Sequence, residues 1–248
     1  MNRQDDKATA LYKVQTFFNQ NIAPLLMTMA LWAAAVHIRG TVIRPKCSII
    51  PTSCTASSIP AIDRVTLGID LPNADLFSFY GQNSSGVLGF LIPLFWTLSL
   101  GLRKKINWTT LFGFLAFDAT LLLQTICTNG LLTEISHLVV QRPRPFVYSS
   151  PTVLGADPAN YTSFYSGHTS FSAATLTAAV LILIHRKAPA WLYFGVLLLG
   201  QGFIFTTGHF RILASRHFLT DVICGGLAGT LAAWFVCTLS YQRTQRDS

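Results

Sequence analysis

Six long apolar runs, near residues 20–38, 86–102, 107–128, 169–185, 189–207 and 219–240, constrain this chain more than any other feature. A hydrocarbon core about 30 Å thick is crossed by about 20 mostly apolar residues at roughly 1.5 Å each, and these runs are close to that length. The expected fold is all-α: a polytopic membrane protein with a six-transmembrane helix bundle, read as a single domain over 1–248. Only 11% of the residues are charged, against about a quarter in soluble domains. Too few polar residues remain between the runs to cover a separate globular core. The net charge of +8 lies in short clusters between the runs, which suits membrane orientation and not nucleic acid. The fourth run reaches spanning length only if it starts inside Ser166-Gly167-His168, so that triplet is expected at a helix start.

Lys and Arg in short connections mark the cytoplasmic side, and Arg103-Lys104-Lys105 with Arg186-Lys187 are the clearest markers. Both termini then share that side, giving ten cytoplasmic Lys/Arg against eight outside. Three outer segments result, 39–85, 129–168 and 208–218. The first run follows Asp5, Asp6, Lys7 and Lys13, unlike the short basic start of a secretory signal. It is expected to persist as a span rather than be cut at Ala33-Ala34-Ala35. Within the cytoplasmic or interfacial segment 1–19, Leu11, Val14, Phe17 and Phe18 recur at helical spacing, which fits a helix in the membrane interface or an extension of the first span. Cys47 and Cys54 share the first outer segment, where an oxidising compartment would join them and a reducing one would leave two thiols. Cys127, Cys224 and Cys237 are expected to be packing residues.

Chemistry-bearing residues gather in the other two outer segments and the adjoining helix ends: Arg142-Pro143-Arg144-Pro145, Ser166-Gly167-His168, Arg211, His217 and Asp221. Together they describe an anion site with a nucleophile. A guanidinium grips phosphate oxygens through two parallel charge-assisted hydrogen bonds, and the prolines stiffen the backbone that presents it. Gly167 lets the backbone approach a phosphate closely at the start of the fourth helix. His217 and Asp221 are four residues apart, hence on one face of a helix. The carboxylate is expected to take the proton of one ring nitrogen and leave the other aimed at phosphorus. His168 would protonate the leaving oxygen and later activate water.

This constellation resembles the type 2 phosphatidic acid phosphatase superfamily, whose motifs run K-x6-R-P, P-S-G-H and S-R-x5-H-x3-D. Here they read His137-x6-Arg144-Pro145, Tyr165-Ser166-Gly167-His168 and Phe210-Arg211-x5-His217-x3-Asp221, covering residues from about 130 to 240. The resemblance implies a metal-independent phosphatase without a cofactor, acting on a membrane lipid phosphate. In it Arg144, Arg211, Ser166, Gly167 and position 137 bind phosphate, His168 is the general acid, His217 the nucleophile and Asp221 its orienting partner. The ten Asp and Glu residues show no paired cluster suited to a divalent cation. Tyr165 and Phe210 replace a proline and a serine, changes expected to alter loop shape only. His137 replaces a lysine, so a fixed charge becomes one that titrates near neutrality, and Arg142 is the auxiliary candidate to supply it.

Transfer of the phosphoryl group to another lipid, and a lipid-phosphate binder that has lost turnover, both remain compatible with these residues. A vanadium-dependent haloperoxidase shares them too, but those relatives are soluble. Phosphatidic acid, phosphatidylglycerol phosphate, a polyprenyl diphosphate and lipid A are all candidate substrates, and no obligate protein partner is evident. The short chain points to a bacterial inner membrane with the site facing the periplasm, a lumen-facing endomembrane site being the alternative. Asp118, inside the third run, is expected to meet an interhelical partner or the substrate. His37, His185 and His209 are expected to be structural, and Arg216 to make a surface contact.

Overall fold

The computed structural model describes residues 18–246, and all of the interfacial helix expected over Leu11, Val14, Phe17 and Phe18 except Phe18 lies outside them. Six helices account for the six runs: α1 Ala23–Val42, α2 Ala74–Leu102, α3 Trp108–Val140, α4 Gly167–His185, α5 Ala190–Leu213 and α6 Leu219–Arg246. All six are long and apolar enough to cross a membrane, and the protein is an integral membrane protein. No strand occurs among the described residues. The outward faces carry Leu26, Leu31, Phe90, Phe95, Leu198, Phe205, Leu231 and Trp234 exposed, a surface suited to lipid. Helical hydroxyls turn back on their own helix instead, as Thr125 does onto the Leu121 carbonyl at 2.9 Å and Thr133 onto that of Asn129 at 2.8 Å.

Helix α4 is the central element. Its most apolar window is 67% buried, against 17% to 39% for the other five helices. Small residues explain this: Ser170, Ser172, Ala173, Ala174, Ala178 and Ala179 are all fully buried and let neighbours approach the backbone. On α6 a Cβ added at Gly225 would lie 2.6 Å from the Ser166 carbonyl oxygen, and one at Gly229 would lie 2.0 Å from that of Ser170. The two glycines therefore press the start of α6 onto the start of α4. Ser166 caps α4, its Oγ meeting the Thr169 N–H at 3.5 Å and the Thr169 hydroxyl at 2.9 Å, so the Ser166-Gly167-His168 triplet stands at a helix start.

Two helices overrun their apolar runs. Helix α2 begins at Ala74 rather than near 86, and α3 ends at Val140 rather than near 128. Hydropathy counts Ser78, Ser85 and Ser136 against a span, yet other helices and loops satisfy them: Ser85 donates to Ser172 at 3.0 Å and Ser136 to the Phe164 carbonyl at 2.9 Å. The non-helical outer connections shrink accordingly to 43–73, 141–166 and 214–218, which contain only short helical turns. Cys47 and Cys54 are joined as a disulfide, packed on Ile43, Val147 and Tyr161. At the opposite end of the bundle the two basic turns meet, Arg103, Lys105, Arg186 and Lys187 lining one cavity with Trp96 and Phe114. Asp118 lies at that end, bonded to Arg186 at 2.6 and 3.0 Å and to Thr97 at 3.2 Å, so its partner is interhelical.

Candidate active site

A cavity of about 370 Å³ at the other end of the bundle is lined by His137, Arg144, Gly167, His168, Arg211 and His217, together with Arg39, Glu134, Thr162 and the apolar Trp32, Ile126 and Phe171. Separate parts of the chain thus converge. His137 comes from the last turn of α3, Arg144 from the proline-bounded link after it, Gly167 and His168 from the first turn of α4, and Arg211 from the last turn of α5. The prolines act as foreseen: Arg144 enters a short turn, Pro145–Ser149, in extended conformation, and its N–H is fixed on the Asn160 carbonyl at 2.9 Å. Ser166 does not line the cavity. It is fully buried and its hydroxyl is spent on the helix cap, so its contribution is to hold Gly167 and His168 in place.

The two arginines are held by one terminal nitrogen each. Arg144 Nη2 donates to the Thr162 hydroxyl at 2.9 Å, and Arg211 Nη1 donates to the Asp75 carboxylate and to Ser78 Oγ at 3.3 Å. Their Nε atoms are buried and have no partner among the described residues. Leaving a buried donor unsatisfied costs about 1–3 kcal/mol, and an oxyanion in the cavity would repay it. His168 also lines the cavity, half-buried, and makes no hydrogen bond to the described residues.

His217 departs from the expected geometry. It precedes α6, with Phe218 between it and Leu219, so the helical four-residue relation to Asp221 does not apply to it. Its Nδ1 sits 2.6 Å from the Ser163 carbonyl and 3.9 Å from Asp221. A carbonyl only accepts, so Nδ1 carries the proton and Nε2 carries the lone pair. The orienting acceptor is therefore the Ser163 backbone, not the carboxylate. Burial, and after it Arg211 and Arg144, hold the His217 ring well below the ordinary histidine pKa. Nε2 has no hydrogen-bond partner among the described residues and is the only ring nitrogen left for chemistry.

Asp221 stands one step behind. Its Oδ2 accepts from Ser163 Oγ at 2.5 Å and from the Phe218 N–H at 2.9 Å, as a carboxylate in the first turn of a helix does when it reaches back to the cap. Arg142 bridges Asp221 at 2.5 Å and Asp63 at 2.7 Å and lies 4.1 Å over the Phe218 ring. It does not line the cavity, and the auxiliary phosphate contact expected of it is replaced by a hold on two carboxylates. His137 is likewise engaged: Nε2 meets the Tyr165 carbonyl at 3.2 Å and Nδ1 lies 3.6 Å from Glu134, which Arg39 also binds, at 3.2 Å. Only Nε2 is within hydrogen-bond distance of an oxygen, and through it His137 braces the turn before α4; Nδ1 is buried without a hydrogen-bond partner among the described residues, and the ring lines the cavity.

The model of the PAP2 superfamily matches residues 118–245, just over half of the chain. The chain belongs to the PAP2 superfamily. No curated protein and no solved structure gave a match. PAP2 membership makes this a phosphatase-type enzyme, a hydrolase of phosphoric esters in general. The PAP2 match takes in the walls of the cavity from α3, α4 and α5 and His217 before α6, but not α1, α2 or the segment between them. Those regions bring Arg39, Asp63 and Asp75 to the site, none of which the sequence singled out. Ser163 was missed for another reason: it acts on His217 through its backbone oxygen, which every residue has.

Proposed function

We propose that this PAP2 enzyme hydrolyses the phosphate monoester or diphosphate of a membrane lipid through a phosphohistidine on His217, without a metal, at the non-cytoplasmic face. One observation carries the reading: a buried imidazole is locked by Nδ1 while its Nε2 is left for a cavity shared with Arg144 and Arg211. Attack by Nε2 in line forms an N–P bond as the bond from phosphorus to the lipid oxygen breaks. His168 gives that oxygen its proton. Water then attacks the phosphohistidine, His168 takes the water proton, and inorganic phosphate leaves with His217 neutral again. Arg144 and Arg211 neutralise charge on the transferring group throughout.

The amphiphilic character of the cavity supports a lipid substrate, since Trp32, Ile126 and Phe171 continue its wall into the spans. Two features support the outer face. The basic turns 103–105 and 186–187 lie at the opposite end of the helices, which the positive-inside rule keeps cytoplasmic. The Cys47–Cys54 disulfide lies on the cavity side, as suits an oxidising compartment. A bacterial inner membrane with a periplasmic site meets both conditions. Purified protein in detergent micelles with EDTA should release inorganic phosphate from phosphatidic acid, phosphatidylglycerol phosphate, polyprenyl diphosphate or lipid A, and His217→Ala should abolish it. Phosphate found only on an added acceptor would indicate a transferase, and binding without release a binder.

A further inference from the structure

We infer that Asp63, in the first outer segment, is a positioning residue for phosphoryl transfer, an inference that rests on the His217 nucleophile proposed above. Asp63 is 0% exposed although the other three residues of its four-residue turn, Ala61–Arg64, are exposed. It accepts three hydrogen bonds, from Arg142 Nη2 at 2.7 Å, the Thr220 N–H at 2.9 Å and the Thr220 hydroxyl at 2.7 Å. Arg142 Nη1 continues to Asp221 Oδ1 at 2.5 Å, Asp221 Oδ2 to Ser163 Oγ at 2.5 Å, and the Ser163 carbonyl to His217 Nδ1 at 2.6 Å. An unbroken series of hydrogen bonds therefore joins an outer loop to the nucleophile.

The role of Asp63 in that series follows from the shape of the guanidinium. A fork facing one carboxylate can rotate into a two-point pair with it; a second carboxylate across the fork holds it to a single point on each. With Asp63 replaced by Asn, the charge facing Arg142 is lost and one oxygen becomes an amide NH2, so either Arg142 Nη2, bound to Oδ2, or the Thr220 N–H in the first turn of α6, bound to Oδ1, loses its acceptor. Arg142 then closes on Asp221 and draws it from Ser163, and the carbonyl that sets the His217 ring moves with it. Burial raises the pKa of Asp63, but the hydrogen bonds from Arg142 and Thr220 outweigh burial and hold it below the ordinary carboxylate value. The second carboxylate is thus charged at neutral pH. Asp63 does not line the cavity, so its loss should affect turnover and leave phosphate affinity alone.

The test uses the full chain in detergent micelles with a short-chain phosphatidic acid as substrate. Asp63→Asn should lower kcat about 10- to 100-fold, the range typical of a residue acting through another, with KM within about threefold. A loop anchor would not couple to Ser163, whereas a positioning residue must. Asp63→Asn combined with Ser163→Ala should therefore lose clearly less than the product of the two single losses. An unchanged kcat in Asp63→Asn, a rise in KM alone, or a multiplicative double variant would each overturn the inference. Should Asp63→Asn fail to fold, Thr220→Val with Ser163→Ala forms the same cycle with the same two outcomes. His217→Gln runs alongside. Turnover retained there would sink the nucleophile and this inference together; a dead His217→Gln beside a wild-type Asp63→Asn would sink only the inference.

Discussion

At the basic end of the bundle Asp118 is closed off by Arg186 and Thr97, and the guanidinium stacks 3.7 Å from Phe114. At the cavity end Arg144 and Arg211 are just as deeply embedded, yet each keeps an Nε without a partner among the described residues. Both ends contain charge inside a membrane bundle. At the first, Asp118 and Arg186 are closed on fixed partners and so tie α2, α3 and α4 together. The second leaves hydrogen-bonding capacity over, which is what an anion site requires. A buried charge in a span is thus not by itself a sign of function; unspent donors around a cavity are the better sign.

Substitution at the two ends should separate stability from turnover. Arg211→Gln at the cavity end should lower kcat/KM by about 10²–10³, the usual consequence of losing one donor to a developing oxyanion, with little change in thermal stability. A loss under tenfold would place Arg211 outside the phosphate site. Asp118→Ala at the basic end should do the reverse, costing about 3 kcal/mol because Arg186 is left buried and alone, with turnover per folded molecule unchanged. Thermal unfolding in detergent, alongside activity, reads both. If Asp118→Ala reduced kcat without reducing stability, the comparison would fail.

A smaller effect follows from the protonation of His217. Its folded pKa is depressed, while the unfolded chain regains a value near 6.5. Below that pH the unfolded state therefore binds a proton that the folded state refuses. This contribution is present in full above about 6.5 and is lost as the pH falls, at up to about 1.4 kcal/mol per unit for one proton. His217→Gln should accordingly be less acid-sensitive in thermal unfolding than wild type, and equal acid sensitivity would count against the neutral ring. The smallest effect belongs to His137→Lys. Restoring the lysine of the family pattern beside Glu134 should keep kcat/KM near neutral pH within about threefold or raise it, and a large loss would assign the imidazole a specific task.

Much of this was legible in the sequence because the bilayer imposes a simple rule on composition. All six spans could be read from apolar length, and Arg144, Gly167, His168, Arg211 and His217 could be read as one group from their order and spacing. What escaped lies where tertiary contacts replace local pattern. The polar first turns of α2 and last turns of α3 stay helical because Ser78, Ser85 and Ser136 find partners across the bundle. Asp63 and Asp75 carry no motif and reach the site only through folding. The spacing of His217 and Asp221 suggested a direct pair, but the helix begins at Leu219, and a backbone carbonyl takes the place the carboxylate was expected to fill.

The account stands on His217 Nε2 as the atom that takes the phosphoryl group. Rapid mixing of purified protein with phosphatidic acid in EDTA, followed by alkaline quench and mass spectrometry of its peptides, measures this directly. The predicted result is a transient phosphoryl adduct on His217 that forms and decays at rates matching turnover and is missing in His217→Gln. Full turnover with no adduct on any histidine, or with the adduct on His168 instead, would contradict it.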